Sequence, residues 1–430
     1  MRTLSRLLPI SMMLLSSCSP KAPSADWASV QELTPAFLQD VSATDPALAV
    51  ATDGRVALSW IVRDSSGGAD AWIAVSADSG ASFGEPVRIN PRAGCVSSFT
   101  ESRPVAAFGP DGQLLVVWAA KRDSGEYADD LMSRGSSDGG RTFGPAAILN
   151  SDHADVRSTY HGFATIGFLP DGRAVAAWID GRASLGAEEP SAGEIYASIL
   201  PARSNEWQPD TRIAGDVCAC CGIHLSPELA ARGEPRIALA YRGMRGDLRD
   251  PRVAVLRTDS LAVVLDTLVS ADHWFLRGCP SVGPRLTFNR AEGGHYLWFT
   301  GESTPDSAAP AKLTPAGVYL QPWRTNGGAA GTRLTMLDSL RDATRPVLAE
   351  AGGTSLIAVV GHPRSDSTRS TLAVRMLEPN DRLTPWVFLG SGVRAGALAS
   401  NHRHSAYAAW VEKEGERTHV RLARITRRGR

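Results

Sequence analysis

The chain has no net charge, and several common catalytic signatures are missing from it. Its 45 basic residues balance 45 acidic ones, so no electrostatic field attracts nucleic acid and we expect no nucleic-acid partner. It contains no Gly-x-Gly-x-x-Gly, P-loop or His-Glu-x-x-His motif, which argues against nucleotide binding and zinc-protease chemistry. What it does contain is 41 Gly, 27 Pro and 43% hydrophobic residues, a composition typical of a loop-rich all-β protein.

An eight-residue segment occurs twice in the first third of the chain. It runs from Ser76 to Phe83 and again from Ser136 to Phe143, and both copies fit Ser-x-Asp-x-Gly-x-[Ser/Thr]-Phe. Such a segment suits a tight turn, because the Asp carboxylate caps backbone N–H groups and Gly takes a positive φ without strain. The two copies therefore predict a structural repeat.

A second repeated feature, a large apolar position that ends a short apolar run, extends along the whole chain. An Asp-Gly turn precedes its first three copies, and the runs are typical of buried strands. The seven positions are Trp60, Trp118, Trp178, Tyr241, Trp298, Val360 and Trp410. We predict an all-β protein, a single β-propeller of four-stranded antiparallel blades. Seven blades fit the repeat, and the alternative is a six-bladed ring in which one late unit is an insertion.

The N-terminus is predicted to close the ring. The segment Pro35–Gln39 resembles the ends of the following units, Pro86–Asn90 and Pro145–Asn150. The last unit is short of one strand, so we expect the N-terminus to supply the outer strand of the last blade. Closure of this kind leaves only short, protected sheet edges.

The first residues predict a targeting segment. Arg2 and Arg6 precede the apolar stretch Leu7–Leu15, and Leu15-Ser-Ser-Cys18 matches the bacterial lipobox, in which cleavage occurs before a cysteine that then carries lipid. We expect a lipoprotein signal peptide over 1–17, a tether over 18–26 and the propeller over 27–430. A plain secretory signal with a chance cysteine is the alternative. Ser19 indicates outer-membrane sorting, so we expect a monomer in the bacterial cell envelope, held to the membrane by lipid alone.

The ligand site of a propeller is expected on one face. The loop that enters each innermost strand and the loop between the second and third strands both open there, around the central axis. Arginines in these loops point to an acidic ligand, because guanidinium groups bind a carboxylate through paired hydrogen bonds. The predicted substrate-binding residues are Arg103, His161, Arg182, Arg242, Arg249 and Arg345. For each arginine, a rim ion pair with a neighbouring carboxylate is the alternative.

Five cysteines besides Cys18 all lie in these entering loops. They are Cys95, Cys218, Cys220, Cys221 and Cys279. In an oxidising compartment they predict disulfides, two of them with one thiol left over. The alternative is a thiolate site for zinc or cuprous copper formed by Cys218, Cys220, Cys221 and Cys279, with His161 or His224 as a further ligand. No other cofactor is expected.

These features resemble the sialidase (neuraminidase) family. The octapeptides look like its Asp-box, or BNR, repeat, and four loop segments are similar to those of bacterial secreted sialidase-like proteins, including a lipoprotein branch. The segments are Tyr160–Phe163, Trp178–Arg182, Val217–Cys221 and Gly278–Pro280 followed by Gly283-Pro284. The resemblance covers about Ala43 to Arg430.

The resemblance implies an exo-glycosidase that acts on terminal acidic sugars of glycans. Such an enzyme uses an arginine cluster, a tyrosine nucleophile with a glutamate base, and an aspartic acid as general acid. By loop position these roles fall to Tyr160 or Tyr241, Glu302 and Asp180. The Arg-Ile-Pro segment of the family is absent, and the nearest segments begin at Arg103 and Arg345. A propeller that binds a glycan, a metal or another envelope protein without catalysis is the alternative.

Overall fold

The computed structural model describes the chain from Trp27 onward, with gaps. The described ranges are 27–123, 128–154, 159–182, 192–227, 235–288, 293–304, 314–324, 333–336, 339–351, 353–378, 382–401 and 405–428. The predicted signal peptide, the tether and Cys18 lie outside these ranges. Within them, no helix is both long enough and apolar enough to cross a membrane.

The first three blades follow one another along the chain, each from its inner strand outward. Blade 1 contains β2 (Ala43–Val50), β3 (Val56–Arg63), β4 (Ala69–Ser76) and β5 (Val87–Arg88). Blade 2 contains β6 (Val96–Ser97), β7 (Val105–Phe108), β8 (Leu114–Lys121), β9 (Asp129–Ser136) and β10 (Ala147–Ile148). Blade 3 contains β11 (His161–Phe168), β12 (Ala174–Asp180), β13 (Gly193–Leu200) and β14 (Thr211–Val217).

The remaining four blades repeat this order. Blade 4 contains β15 (His224–Pro227), β16 (Arg236–Arg242), β17 (Pro251–Arg257) and β18 (Val263–Leu268). Blade 5 contains β19 (Arg285–Phe288), β20 (Gly293–Thr300), β21 (Gly317–Arg324) and β22 (Leu334–Thr335). Blade 6 contains β23 (Leu340–Ala351), β24 (Thr354–Pro363), β25 (Thr371–Leu377) and β26 (Val387–Leu389). Blade 7 contains β27 (Val393–Ser400), β28 (Ser405–Glu414), β29 (Arg417–Arg427) and β1 (Ala28–Glu32).

These strands form seven antiparallel sheets over the described ranges. The protein is a seven-bladed β-propeller, as predicted, and the six-bladed alternative is wrong. All seven repeated apolar positions lie on second strands and are buried. The reason is that neighbouring blades cover both faces of a blade, so its second strand has no solvent-exposed face.

The ring is closed by an N-terminal strand, although not by the predicted residues. β1 pairs antiparallel with β29, from Ala28 opposite Arg427 to Glu32 opposite Ala423. The segment expected to be this strand, Pro35–Gln39, instead contains a short 3-10 turn, Ala36–Leu38. Its resemblance to the other strand ends reflects packing, because Leu38 is buried in the core between blades 7 and 1.

The two repeated octapeptides form turns between the third and fourth strands of blades 1 and 2. In the first turn, the Asp78 carboxylate accepts a hydrogen bond from the Ser82 N–H at 2.8 Å, and the Ser76 hydroxyl accepts one from the Gly80 N–H at 2.7 Å. The Ser82 hydroxyl, which donates to the same carboxylate at 2.6 Å, is the main reason that the pKa of Asp78 is lowered to about 2, and the Ser82 N–H adds to the effect. Chain direction places these turns on the face opposite the entering loops, so they contribute to the scaffold and not to the predicted ligand face.

Candidate functional site

A group of charged side chains lies where blades that are not neighbours meet. Glu101 belongs to blade 2, where residues 98–104 leave the sheet between β6 and β7. Its carboxylate lies 3.3 Å from the Arg285 guanidinium of blade 5 and 3.7 Å from the Arg345 guanidinium of blade 6. Because other blades separate blade 2 from blades 5 and 6 in the ring, these contacts are made across the axis. We call Asp45, Arg63, Glu101, Arg103, Arg285 and Arg345 the axial cluster.

Arg103 connects blade 2 to blades 1 and 7. Its Nη1 donates hydrogen bonds to the carbonyl of Pro46 in blade 1 at 2.8 Å and to that of Gly396 in blade 7 at 3.2 Å. Burial lowers the pKa of Arg103, and the nearby Glu101 carboxylate opposes this shift. The second carboxylate of the cluster, Asp45, lies 3.6 Å from the Arg63 guanidinium.

The axial cluster carries more positive than negative charge. It contains four arginines and two carboxylates, and the Glu101 and Asp45 side chains are only 7% and 5% exposed. Arg345 has a φ of 51° at an irregularity of β23, a conformation that is strained for a non-glycine residue. Its Nη1 is buried and has no hydrogen-bond partner among the described residues. This arrangement suits an additional anion.

Two loops enclose Glu101 closely. A Cβ on Gly222 would lie 2.6 Å from the Glu101 carboxylate, and a Cβ on Gly283 would lie 1.7 Å from the Gly222 carbonyl oxygen. The Gly283 N–H donates to the same carboxylate at 3.4 Å. Only residues without a side chain allow this approach. These loops also carry the cysteines, so the cysteine loops form part of the wall of the axial cluster.

A second charged group lies at the edge between blades 2 and 3. We call Asp152, His161, Asp180, Arg182 and Asp210 the blade-3 cluster. Pairing of β11 with β12 sets His161 opposite Asp180. The His161 Nε2 lies 3.0 Å from Asp152 and 3.3 Å from Asp180, and Arg182 lies 2.8 Å from Asp180 and 3.1 Å from Asp210.

The charged groups of the blade-3 cluster pair with one another, although the His161 Nε2, like the Arg345 Nη1, makes no hydrogen bond of good geometry among the described residues. Burial alone would lower the pKa of His161, but Asp152 and Asp180 outweigh it and raise the pKa to about 9. His161 is therefore an imidazolium at neutral pH, and its Nδ1 donates to the Asp129 carbonyl at 2.6 Å. Burial would raise the pKa of Asp180, but His161 and Arg182 together keep it below its ordinary value. An aspartate held ionised in this way is poorly suited to the general-acid role predicted for it.

The two predicted tyrosine nucleophiles have different surroundings. The Tyr241 hydroxyl donates to Asp266 at 2.7 Å, on the outer strand of blade 4, and burial together with Asp266 raises its pKa. Its partner is thus Asp266 and not Glu302, which is exposed in blade 5. The Tyr160 hydroxyl is buried without a hydrogen-bond partner in the described ranges, and burial raises its pKa well above the ordinary value.

Two of the predicted substrate-binding arginines, Arg242 and Arg249, donate hydrogen bonds to backbone carbonyls instead. Arg242 is fully buried and donates hydrogen bonds to the carbonyls of Val282, Arg249 and Phe299. Its guanidinium also stacks on Trp274, 4.9 Å from the ring centre. Arg249 is 3% exposed and donates to the carbonyl of Gly246 at 2.8 Å. Neither guanidinium faces solvent, so the prediction that they contact substrate does not fit their placement.

The cysteines differ in part from the expected pairing. Cys220 and Cys279 form a disulfide that joins the entering loops of blades 4 and 5. Cys95, Cys218 and Cys221 are free and buried, so the described cysteines contain one disulfide and not two. Cys95 lies apart, in a cavity of about 410 Å³ of blade 2. With two sulfurs in the disulfide, only the Cys218 and Cys221 thiols of the predicted metal set remain as adjacent ligands.

Comparison with solved structures extends the fold assignment. An ulvan lyase, a polysaccharide lyase solved bound to -[GlcA(1-4)Rha3S]-, matches 91% of this chain and 95% of its own with 8% identity and a TM-score of 0.55. The polysaccharide lyase Uly1 matches 92% of each chain with 13% identity and a TM-score of 0.51. The chain is similar in fold to these two lyases. No family model and no curated protein matches it.

A sialidase is also similar to the chain. Trypanosoma rangeli sialidase matches 93% of this chain and 60% of its own, with 11% identity and a TM-score of 0.45. At these identities the comparisons establish the propeller architecture alone. Membership of the sialidase family and of its lipoprotein branch stays a prediction.

The sequence-based prediction missed four members of the axial cluster, Asp45, Arg63, Glu101 and Arg285. Arg285 follows the Gly283-Pro284 segment and begins β19, so the criterion of loop position that selected Arg103 and Arg345 would also have selected it. Glu101 had no such signal, because its partners lie on blades far away in the sequence.

Proposed function

We propose that this protein recognises acidic glycans at the axial opening of its propeller. The observation that carries the proposal is the excess of arginine in the axial cluster, with a buried Arg345 nitrogen that lacks a hydrogen-bond partner among the described residues. Guanidinium groups of this kind bind a carboxylate or sulfate of a sugar through charge-assisted hydrogen bonds. The Glu101 carboxylate already lies between two of these arginines and marks the position that suits an anionic group.

The fold comparisons agree with this ligand class. Two of the similar solved structures are polysaccharide lyases, and the ligand of one contains glucuronate and sulfated rhamnose. That ligand carries both a carboxylate and a sulfate, the two groups that an arginine cluster accommodates. We take acidic polysaccharide fragments as the first ligands to test.

Recognition is better supported than hydrolysis. A sialidase-type reaction needs a tyrosine activated by a carboxylate and a separate general acid. Tyr160 and Tyr241 both have raised pKa values, and Asp180 has a lowered one. Each shift opposes the role predicted from sequence, so the proposed site binds its sugar without these residues as catalysts.

A titration of the full chain in detergent with acidic and neutral sugars tests the proposal. We expect saturable binding of sialyllactose or of a glucuronate oligosaccharide that weakens as salt is added, and no binding of lactose, the matched neutral sugar. Equal binding of lactose, or no binding of any acidic sugar, would contradict recognition. Release of free sialic acid in the same samples would instead establish the exo-glycosidase.

We also propose that the protein is a lipid-anchored monomer of the bacterial cell envelope, sorted to the outer membrane. The support is the lipobox that ends at Cys18, followed by Ser19. Cys18→Ala should move the protein from the membrane fraction to the soluble fraction of lysed cells, whereas the control Cys95→Ala should not. An unchanged distribution of the Cys18 variant would rule out the anchor.

A further inference from the structure

Four cysteines form one compact group where the entering loops of blades 4 and 5 meet. The Cys218 Sγ lies 3.1 Å from the Cys221 Sγ and 3.7 Å from the Cys220 Sγ, and Cys220 is bonded to Cys279. Cys218 therefore lies next to both a thiol and a disulfide. Nothing in the glycan-binding proposal uses this arrangement.

The four sulfurs fall into two layers. Cys218 and Cys221 are buried, 2% and 0% exposed, and form the inner pair. Cys220 is partly exposed and Cys279 is exposed, so the outer pair is accessible to other molecules. The inner pair has the Cys-x-x-Cys spacing that dithiol redox sites use.

The surroundings distinguish the two inner thiols. The Cys221 thiol donates to Cys218, and the positive charges of Arg242 and Arg249 act in the same direction, so the pKa of Cys218 lies below its ordinary value. Burial raises the pKa of Cys221 well above its ordinary value. One thiolate beside one retained thiol is the arrangement of a nucleophile with its resolving cysteine.

We propose that these cysteines form a two-layer thiol–disulfide exchange site, in which the inner Cys218/Cys221 pair reduces the outer Cys220–Cys279 disulfide and the outer pair reduces a disulfide of a partner molecule. Its substrate class is a protein or small-molecule disulfide.

The internal transfer needs no external oxidant or reductant. The Cys218 thiolate attacks the Cys220 Sγ, a new Cys218–Cys220 bond forms, the Cys220–Cys279 bond breaks and Cys279 leaves as a thiolate that takes up a proton. Cys221 then loses its proton and attacks the Cys218 Sγ, which releases Cys220 as a thiolate. One disulfide has formed, one has broken, and two thiols have moved from the interior to the surface.

The outer thiols can then react with a partner disulfide. The exposed Cys279 thiolate attacks the partner disulfide, one partner sulfur leaves as a thiol, and Cys220 displaces the second. The outer disulfide is restored, the inner pair remains a disulfide, and the partner has gained two electrons and two protons. One turnover therefore transfers the reducing equivalents of the inner dithiol.

Oxidised glutathione provides a direct test on the full chain purified without reductant or chelator. We expect the wild type to release two equivalents of reduced glutathione and to end with both disulfides, Cys218–Cys221 and Cys220–Cys279, mapped by peptide mass spectrometry after alkylation. The double variant Cys220→Ser/Cys279→Ser, which removes the outer pair and keeps the inner one, should slow this release by at least about tenfold, and so should Cys218→Ser. Cys95→Ser, a buried cysteine outside the group, should react like the wild type.

Three results would overturn the proposal, and the first two need no variant. The first is a wild-type map in which Cys218–Cys221 never forms, and the second is one stoichiometric zinc or copper ion bound by these thiols. The third is a folded Cys220→Ser/Cys279→Ser variant, judged by its circular dichroism, that reacts as fast as Cys95→Ser.

Discussion

The axial cluster and the blade-3 cluster contain the same kinds of side chains and differ in how their charges are balanced. In the blade-3 cluster, three carboxylates surround His161 and Arg182, and each charged group has a partner within 3.3 Å. In the axial cluster, which has four arginines and two carboxylates, three of the arginines lie 3.3 to 3.7 Å from a carboxylate. The difference shows that an arginine near a carboxylate does not by itself mark a binding site. An excess of positive charge marks a site for an anionic ligand, because the ligand can then supply the negative charge that the protein lacks.

The largest expected effect is a loss of stability when the blade-3 cluster is changed. Asp180→Asn removes the carboxylate that His161 and Arg182 share, so a buried cation and a partly buried one each lose a partner. We expect a loss of about 3–5 kcal/mol in the free energy of unfolding, measured by urea denaturation at neutral pH. Glu101→Gln is the matched change in the axial cluster and should cost less, because its ion pairs with Arg285 and Arg345 are longer, at 3.3 and 3.7 Å. Equal losses would remove the distinction between the two clusters.

The second effect is a pH dependence of stability that originates at His161. Its folded pKa of about 9 lies above the ordinary value of 6.5, so its contribution is complete below pH 6.5 and is lost as pH rises through 9. The difference in unfolding free energy between the wild type and His161→Gln should therefore fall by about 3 kcal/mol between about pH 6 and pH 10. A constant difference would mean that His161 is neutral in the folded protein.

The third effect concerns the axial cluster and is measured as the affinity for an acidic oligosaccharide. Arg345→Gln removes the guanidinium with the unpartnered nitrogen, and we expect weaker binding of an acidic oligosaccharide by about 1.5–3 kcal/mol with little change in stability. Arg182→Gln should do the opposite, lowering the unfolding free energy and leaving the affinity of the folded protein intact. Titration calorimetry and denaturation of both variants give the comparison. An affinity loss confined to Arg182→Gln would place the binding site at the blade-3 cluster.

The propeller fold and its blade number can be predicted from the sequence, because the repeated motifs involve residues that are close together in the chain. One buried apolar position recurs in every blade, from Trp60 in blade 1 to Trp410 in blade 7. It identifies each second strand, because every blade packs against its neighbours in the same way. The closing strand is predicted at Pro35–Gln39 but lies a few residues earlier, at Ala28–Glu32. Leu38 packs in the core as a residue at the end of a strand does, but its backbone does not pair with a strand.

The site is only partly readable, because its contacts are distant in sequence. Loop position placed Arg103 and Arg345 in the axial cluster, but the same criterion selected Arg242, whose partners are carbonyls of three other segments. The Cys220–Cys279 pairing could not be deduced either, since Cys218 and Cys221 offered equivalent alternatives along the chain. Only the folded arrangement shows which sulfur meets which, and that Glu101 reaches across the axis.

A crystal structure of the full chain with a glucuronate oligosaccharide would locate the bound sugar. We expect the ligand carboxylate at the axial opening, within hydrogen-bond distance of the Arg345 guanidinium, with the blade-3 cluster unchanged. A ligand bound at the blade-3 cluster, or bound elsewhere with Arg345 still lacking a partner, would contradict this expectation.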